Sequence, residues 1–488
     1  MQGKLSDLEP VNVFHYFEEI AAIPHGSYHV DKISDYLVSF AKKRGLRYVQ
    51  DDAKNVIIFK PASKEAKESA PLILQGHMDM VLEKNSDVEL DMESEPIHLV
   101  VDGDDLRADG TTLGGDDGIA VAMMLAVLDD EELVHPPLEC IFTTNEEVGM
   151  LGMNELDPKP LKGRRMLNLD SEEEGILTVG CAGGAEQIFT LPMERKGRYG
   201  MLLRLVIRGL RGGHSGACIH MGRANADLLM GRLLQKIEKK TEFGISVLEG
   251  GNKDNAIPRE CVTEILLPSD VDGKAVIKQI EKFTKQVQNE YQYTDPDIQV
   301  DYEWTDNTEA AIDCIGRKDA KRIVDFLLLL PDGLIAYDPN LKDMPQTSSN
   351  LGILKLDTDG FTAVSLVRGS INSQRKYVQA RMKALAEVFD AGLETKGDYP
   401  AWEYTKHSDF RDLLVNVYEA EYGRKPEVSI THGGLECGLL AAKVDGLDCV
   451  SIGPAMSGIH TPAERLSISS TKRTYEFLKA ALCACAGE

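Results

Sequence analysis

The chain has 488 residues, of which 43% are hydrophobic and 27% charged, and a net charge of −25. That length holds more than one compact domain, and that composition excludes collagen-like, mucin-like and wholly disordered chains. A negative field of this size repels phosphate backbones and anionic lipid, so neither nucleic acid nor a membrane surface is an expected partner.

The amino-terminal segment MQGKLSDLEP has no basic n-region and no apolar h-region, so no secretory signal is expected. Residues 12–22 and Val30–Lys43 carry apolar side chains at helical spacing on either side of the Pro24-His25-Gly26 turn. Three short apolar runs then read as buried strands: Leu72–Leu74, Leu138–Thr143 and Met166–Leu169. Between the first two lies an apolar helix over Gly118–Leu128, with Asp116 and Asp117 at its start. Its apolar stretch, residues 119–128, falls well short of the roughly 20 residues a membrane span requires.

From about residue 185 the pattern changes to period-two runs at 201–210, 261–268 and 297–304, separated by amphipathic helices at Ala224–Lys239 and Ala275–Gln288. From about 398 the α/β texture returns, with a helix over Asp409–Tyr422, a strand over Cys449–Ile452 and a closing helix over Thr471–Cys485. The expected fold is α/β: a mixed, largely parallel sheet sandwiched by helices, built from 1–185 and 398–488, with an α+β domain inserted over 186–397. Nine scattered cysteines with no CxxC pair argue against a disulfide framework and a thiolate zinc cage, and suit a reduced, cytoplasmic setting.

Ligands of open α/β sheets gather beyond the carboxyl ends of the strands. There the sequence places His77 and Asp79, then Asn145, Glu146 and Glu147, then Asp170; Asp116 opens a helix and His460 follows an apolar strand. Taken singly, an HxD pair, an acidic doublet or a loop histidine is ordinary surface chemistry. Together, two imidazoles and several carboxylates without thiolates suit a pair of divalent ions.

The ordered set QGHMDMV (75–81), GGDDGIA (114–120), TNEEVGMLG (144–152), LNLDSEE (167–173) and SGIHTPAE (457–464) resembles the co-catalytic zinc exopeptidases, the metallopeptidases that include aminoacylase, peptidase T and carnosinase. IPHGSYH (23–29), DNAIPRE (254–260) and HGGLECG (432–438) point to one branch of that family. The resemblance implies His77 and Asp170 on one metal, Glu147 and His460 on the other, and Asp116 bridging both. It implies two Zn2+ ions, with Co2+ or Mn2+ as alternatives, and a shared water as nucleophile. Glu146 is then the general base and Asp79 the residue that orients His77.

In the insert, His214 of RGGHSG matches the histidine that reaches the scissile carbonyl, and Asn255 and Arg368 match lid positions, Arg368 facing the substrate carboxylate. Gly434 matches a loop close to bound peptide, and Glu436 is a candidate for the substrate ammonium, while His432 and Cys437 suit structural roles rather than a third metal. The implied activity is hydrolysis of unblocked dipeptides, Xaa-His types included, by a cytoplasmic homodimer joined through the insert. The alternatives are a tripeptidase or an N-acyl amino acid hydrolase of the same family.

Overall fold

A computed structural model describes residues 5–339 and 341–487. The first four residues of the amino-terminal segment lie outside the described residues. The chain divides into two units. The first comprises the chain up to Cys181, Tyr404–Thr431 and the chain from Leu435 onward; the second comprises Ala182–Glu403 and His432–Gly434. The cuts thus fall at 181/182 and 403/404, a few residues from the sequence-derived 185/186 and 397/398, and the short segment 432–434 belongs with the insert.

The first unit is built on an eight-stranded sheet. Its strands in chain order are β1 (Arg47–Gln50), β2 (Val56–Lys60), β3 (Leu72–His77), β4 (Leu138–Thr143), β5 (Arg165–Asn168), β6 (Ile176–Cys181), β7 (Glu427–Thr431) and β8 (Asp448–Ser451), and their order in space is β1-β2-β4-β3-β5-β8-β6-β7. The central pairs β4–β3, β3–β5 and β5–β8 are parallel, whereas β1–β2 and β2–β4 are antiparallel. Every residue of β3 and β4 is buried, as expected of a parallel sheet covered on both faces. The registers Gln75↔Asn168, His77↔Thr143 and Ser451↔Asn168 bring the carboxyl ends of four strands level with one another.

The helix Gly115–Asp129 is apolar all round, and every residue from Gly118 to Leu128 is buried, so it is a core helix rather than an amphipathic surface one. Asp116 and Asp117 have non-helical φ/ψ, so the regular helix begins near Gly118, where the apolar pattern begins. Of the sequence-derived helices, Asp409–Tyr422 has the same bounds in the structure, and the closing helix runs Ile468–Ala486. A small four-stranded sheet pairs Met456–Ser457, Arg465–Ser467, Asp105–Ala108 and Leu99–Asp102, and the loop between its first two strands carries His460.

The second unit is a nine-stranded antiparallel sheet packed with the helices Ala226–Glu238, Gly273–Glu290, Arg317–Leu329 and Asn372–Phe389 around one apolar core. The period-two runs at 201–210 and 297–304 belong to longer strands, Arg195–Arg208 and Gln299–Ile315. The amino-terminal extension of the first escapes the pattern because residues 196–199 are all exposed and show no alternation. Among the described residues no helix is long and apolar enough to cross a membrane.

Phe326 is fully buried in that core and meets Phe189, Phe361 and Phe389 edge-on at centroid distances of 5.0, 5.6 and 5.6 Å. Phe326→Ala is expected to destabilise the second unit by about 3–5 kcal/mol. Hydrogen exchange should show the loss of protection in Ala226–Glu238 and Arg317–Leu329, with β3 and β4 unaffected; unchanged protection in both helices would contradict this account of the core.

Candidate metal centre

Five chemistry-bearing segments converge in the first unit, each placed by the element it borders. β3 ends on His77, β4 leads into Asn145-Glu146-Glu147, β5 leads into Asp170, and the start of the helix Gly115–Asp129 presents Asp116. Asn145 and His460 sit at φ +53° and +60°, turning the chain sharply so that Glu146, Glu147 and the imidazole face the strand ends.

Two groups of side chains have ligand atoms within 4.8 Å of one another: His77, Asp116 and Asp170, and Asp116, Glu147 and His460. Asp116 belongs to both. Its Oδ1 lies 3.0 Å from His77 Nε2 and its Oδ2 lies 3.1 Å from His460 Nε2. His77 Nε2 is 3.6 Å from Asp170 Oδ1, and His460 Nε2 is 2.8 Å from Glu147 Oε2. The structure therefore brings together all five residues expected as ligands.

The electrostatics show what the arrangement demands. Burial pushes Asp170 and Glu146 well above the usual carboxylate range, and neighbouring acids push in the same direction. Burial also raises Glu147 despite its bond to His460. For Asp116, hydrogen bonds from His460 and His77 overcome the burial effect and hold the carboxyl below its usual range. Burial opposes the charge on His77, yet bonds to Asp116 and the charge of Asp170 raise it well above an ordinary imidazole, and His460 is pushed up to about 11 by Asp116 and Glu147. Buried acids this dense either take up protons or sit beside positive charge. Two imidazole nitrogens and three carboxylates are also a donor set that zinc, cobalt or manganese accepts, so the residues fit a pair of divalent ions.

Asp79 is 1% exposed. Its Oδ1 accepts from Glu146 N at 3.0 Å and its Oδ2 from Ser27 Oγ at 2.8 Å, so it links IPHGSYH to the turn that carries Glu146. His77 Nδ1 lies 3.0 Å from the carbonyl oxygen of Asp79 and 3.6 Å from its carboxylate. The nearer partner of the imidazole is therefore the Asp79 backbone.

Behind these five residues runs a buried polar chain. Glu436 Oε2 accepts from Gln75 Nε2 and Thr143 Oγ1, both at 2.5 Å. Asn168 Nδ2 donates to Gln75 Oε1 at 2.6 Å, Asp170 N donates to Asn168 Oδ1 at 3.2 Å, and Ser451 bonds to Asn168. Glu436 is fully buried, and burial raises its carboxyl to about 7. Among the described residues no metal-holding group forms around His432, Glu436 and Cys437. In the sequence, Gln75 and Asn168 are marked only as lone amide side chains ending apolar runs. Glu464, four residues after His460, has no such mark, yet it binds the backbone of the Asp116 turn.

Within the second unit, His214 is exposed on the short strand Gly213–His214, which pairs with Ala256–Ile257, and Ser215 N donates to Asn255 O at 2.8 Å. The RGGHSG and DNAIPRE segments are thus one structural feature, and Asn350 Nδ2 binds the carbonyls of Asp254 and Ala256 from the neighbouring sheet. Arg368 is buried on Phe361–Gly369 and donates to Tyr399 Oη at 3.4 Å. A Cβ on Gly434 would lie 2.8 Å from that same hydroxyl, which explains glycine there. His432 bonds to Ser348 Oγ at 2.8 Å, and burial together with Arg368 lowers its imidazole to about 3.

The chain matches peptidase family M20/M25/M40 over residues 73–484 and belongs to that family. It is 34% identical to the cytosol non-specific dipeptidase of Escherichia coli over 480 residues, 98% of each chain. It is also 34% identical to the crystal structure of aminoacylhistidine dipeptidase from Vibrio alginolyticus, covering 98% of each chain with a TM-score of 0.87. These are the proteins that the branch motifs IPHGSYH, DNAIPRE and HGGLECG resemble. The aminopeptidase PepT of Bacillus cereus shares the fold at 16% identity, with a TM-score of 0.56 and coverage of 98% of this chain and 99% of its own.

A Cβ on Gly76 would lie 2.6 Å from Asp117 Oδ2 and 2.8 Å from the Ala120 side chain. Glycine thus lets the core helix approach β3 next to His77, whose backbone N donates to Asp117 Oδ2 at 3.2 Å. Gly76→Ala is expected to cost about 1–3 kcal/mol by overpacking and to lower retained metal. Calorimetry and metal analysis after dialysis check this, and wild-type values in both would contradict it.

Proposed function

We propose that this chain is a metal-dependent dipeptidase that hydrolyses unblocked dipeptides, Xaa-His substrates included, in the cytoplasm. The observation that carries the reading is Asp116, shared between two ligand groups with Glu146 beside them and outside both. End-to-end likeness to two proteins named as dipeptidases supports the choice of substrate.

His77, Asp116 and Asp170 would hold one divalent ion, and Asp116, Glu147 and His460 the other, with zinc the first candidate and cobalt or manganese the alternatives. Such a pair supplies Lewis-acid polarisation of the scissile carbonyl and a more acidic water. Glu146 accepts the proton of the attacking water on its carboxylate and delivers it to the departing amine nitrogen. Asp79 keeps Glu146 in place through the Glu146 amide, and Ser27 keeps Asp79 in place.

The second unit supplies recognition in this reading. Arg368 takes the substrate's terminal carboxylate as a forked donor, His214 donates to the developing oxyanion, and Asn255 and Gly434 line the peptide. Glu436 faces the ammonium end. A homodimer formed through the second unit completes the proposal.

Two experiments test it. Chelation should abolish hydrolysis of an Xaa-His dipeptide, and zinc, cobalt or manganese should restore it; a matched tripeptide should be cleaved far more slowly and an N-acetyl amino acid not at all. Equal cleavage of dipeptide and tripeptide, or preference for the acylated substrate, would replace this reading with one of its family alternatives. Glu146→Ala should bind both metals yet lose turnover by at least about 10²–10⁴-fold, and a near-normal rate would remove Glu146 from its role.

A further inference from the structure

Glu464 lies on the loop that carries His460, is 3% exposed, and uses its whole carboxylate on the backbone of another loop. Leu113 N and Gly114 N donate to Oε2 at 2.7 and 3.3 Å, and Gly115 N and Asp116 N donate to Oε1 at 2.8 and 3.4 Å. Successive amides aimed at one point make a concavity for an anion, and here the anion is a side chain of the same protein. Gly114, at φ +70°, lets the backbone curl around the carboxylate. A Cβ on Gly115 would lie 3.2 Å from Glu464 Oε1, so the approach is close.

The far side of this tie is the loop of His460. It is held locally by Thr461 Oγ1 donating to Gly458 O at 2.6 Å and Glu464 N donating to Thr461 O at 3.0 Å. The His460 side chain is 46% exposed, so little packing fixes the imidazole. His77, by contrast, is 1% exposed at the end of a central strand, and Asp170 directly follows another. Of the five residues, His460 has by far the most exposed side chain.

We propose that Glu464 is a positioning residue for the ion held by Asp116, Glu147 and His460, fixing the loop of His460 to the turn of Asp116 before the ion binds. This rests on the two-ion reading above. The hydrogen bonds of Glu464 end on backbone amides, so its effect reaches the metal only through the spacing of His460 and Asp116. Removing it weakens the ion that depends on His460 more than the ion held by His77 and Asp170.

The test is Co2+ titration of metal-free protein against a competing chelator, with visible absorption as the readout, for wild type, Glu464→Gln, Glu464→Asp and His460→Ala. His460→Ala identifies which of the two bound ions uses that imidazole. Glu464→Gln is the same size but brings an N–H toward amides that are themselves donors. It is expected to weaken that same ion by about 10–100-fold and the other ion less. Glu464→Asp keeps the charge with a shorter reach and should weaken the same ion by a smaller factor, which covers the case in which the glutamine variant does not fold. Equal weakening of both ions, weakening confined to the other ion, or wild-type affinity for both would overturn the role of Glu464. Wild-type protein that binds fewer than two Co2+ would instead overturn the two-ion reading.

Discussion

A single carboxylate, that of Asp116, organises the site: one oxygen meets His77 and the other meets His460, so two clusters of side chains meet on one residue. Around it stand Asp117, Glu146, Glu147 and Asp170, all raised above their usual range by burial and mutual repulsion. Such a concentration of acid costs stability in any folded protein unless cationic charge offsets it. The proposed pair of cations would offset that cost.

The rigidity comes in layers. Parallel strands bring His77, Thr143, Asn168 and Ser451 level, and Gln75 donates to Thr143 and accepts from Asn168, which in turn bonds to Ser451, all fully buried. The core helix that begins beyond Asp116 is buried along its length, which anchors the turn at its start. Where regular structure gives out, individual side chains take over: Asp79 binds the backbone of Glu146, and Glu464 the backbone of the Asp116 turn. Each of these carboxylates bonds main-chain amides, which fixes a loop's path rather than a single rotamer.

Much of this was legible in the chain. Short apolar runs that lead into imidazole or carboxylate marked β3, β4 and β5, because a buried parallel strand leaves its signature in consecutive residues, and motif order picked out five residues that the structure brings together. The edge strands β1 and β7 left no such mark, since their side chains are mostly half-exposed. The cradle of Glu464 was not legible either: backbone amides carry no residue identity, and which carboxylate they receive is decided by loops some 350 residues apart. Gln75 and Asn168 fall between, detectable as polar residues among apolar neighbours but not interpretable until the registers of β3 and β5 are known.

The most direct measurement is anomalous scattering at the zinc edge from crystals grown with saturating zinc. The account predicts two peaks about 3.5–4 Å apart, one against His77 and Asp170, the other against Glu147 and His460, with Asp116 touching both. One peak only, or two with Asp116 turned away from either, would contradict it.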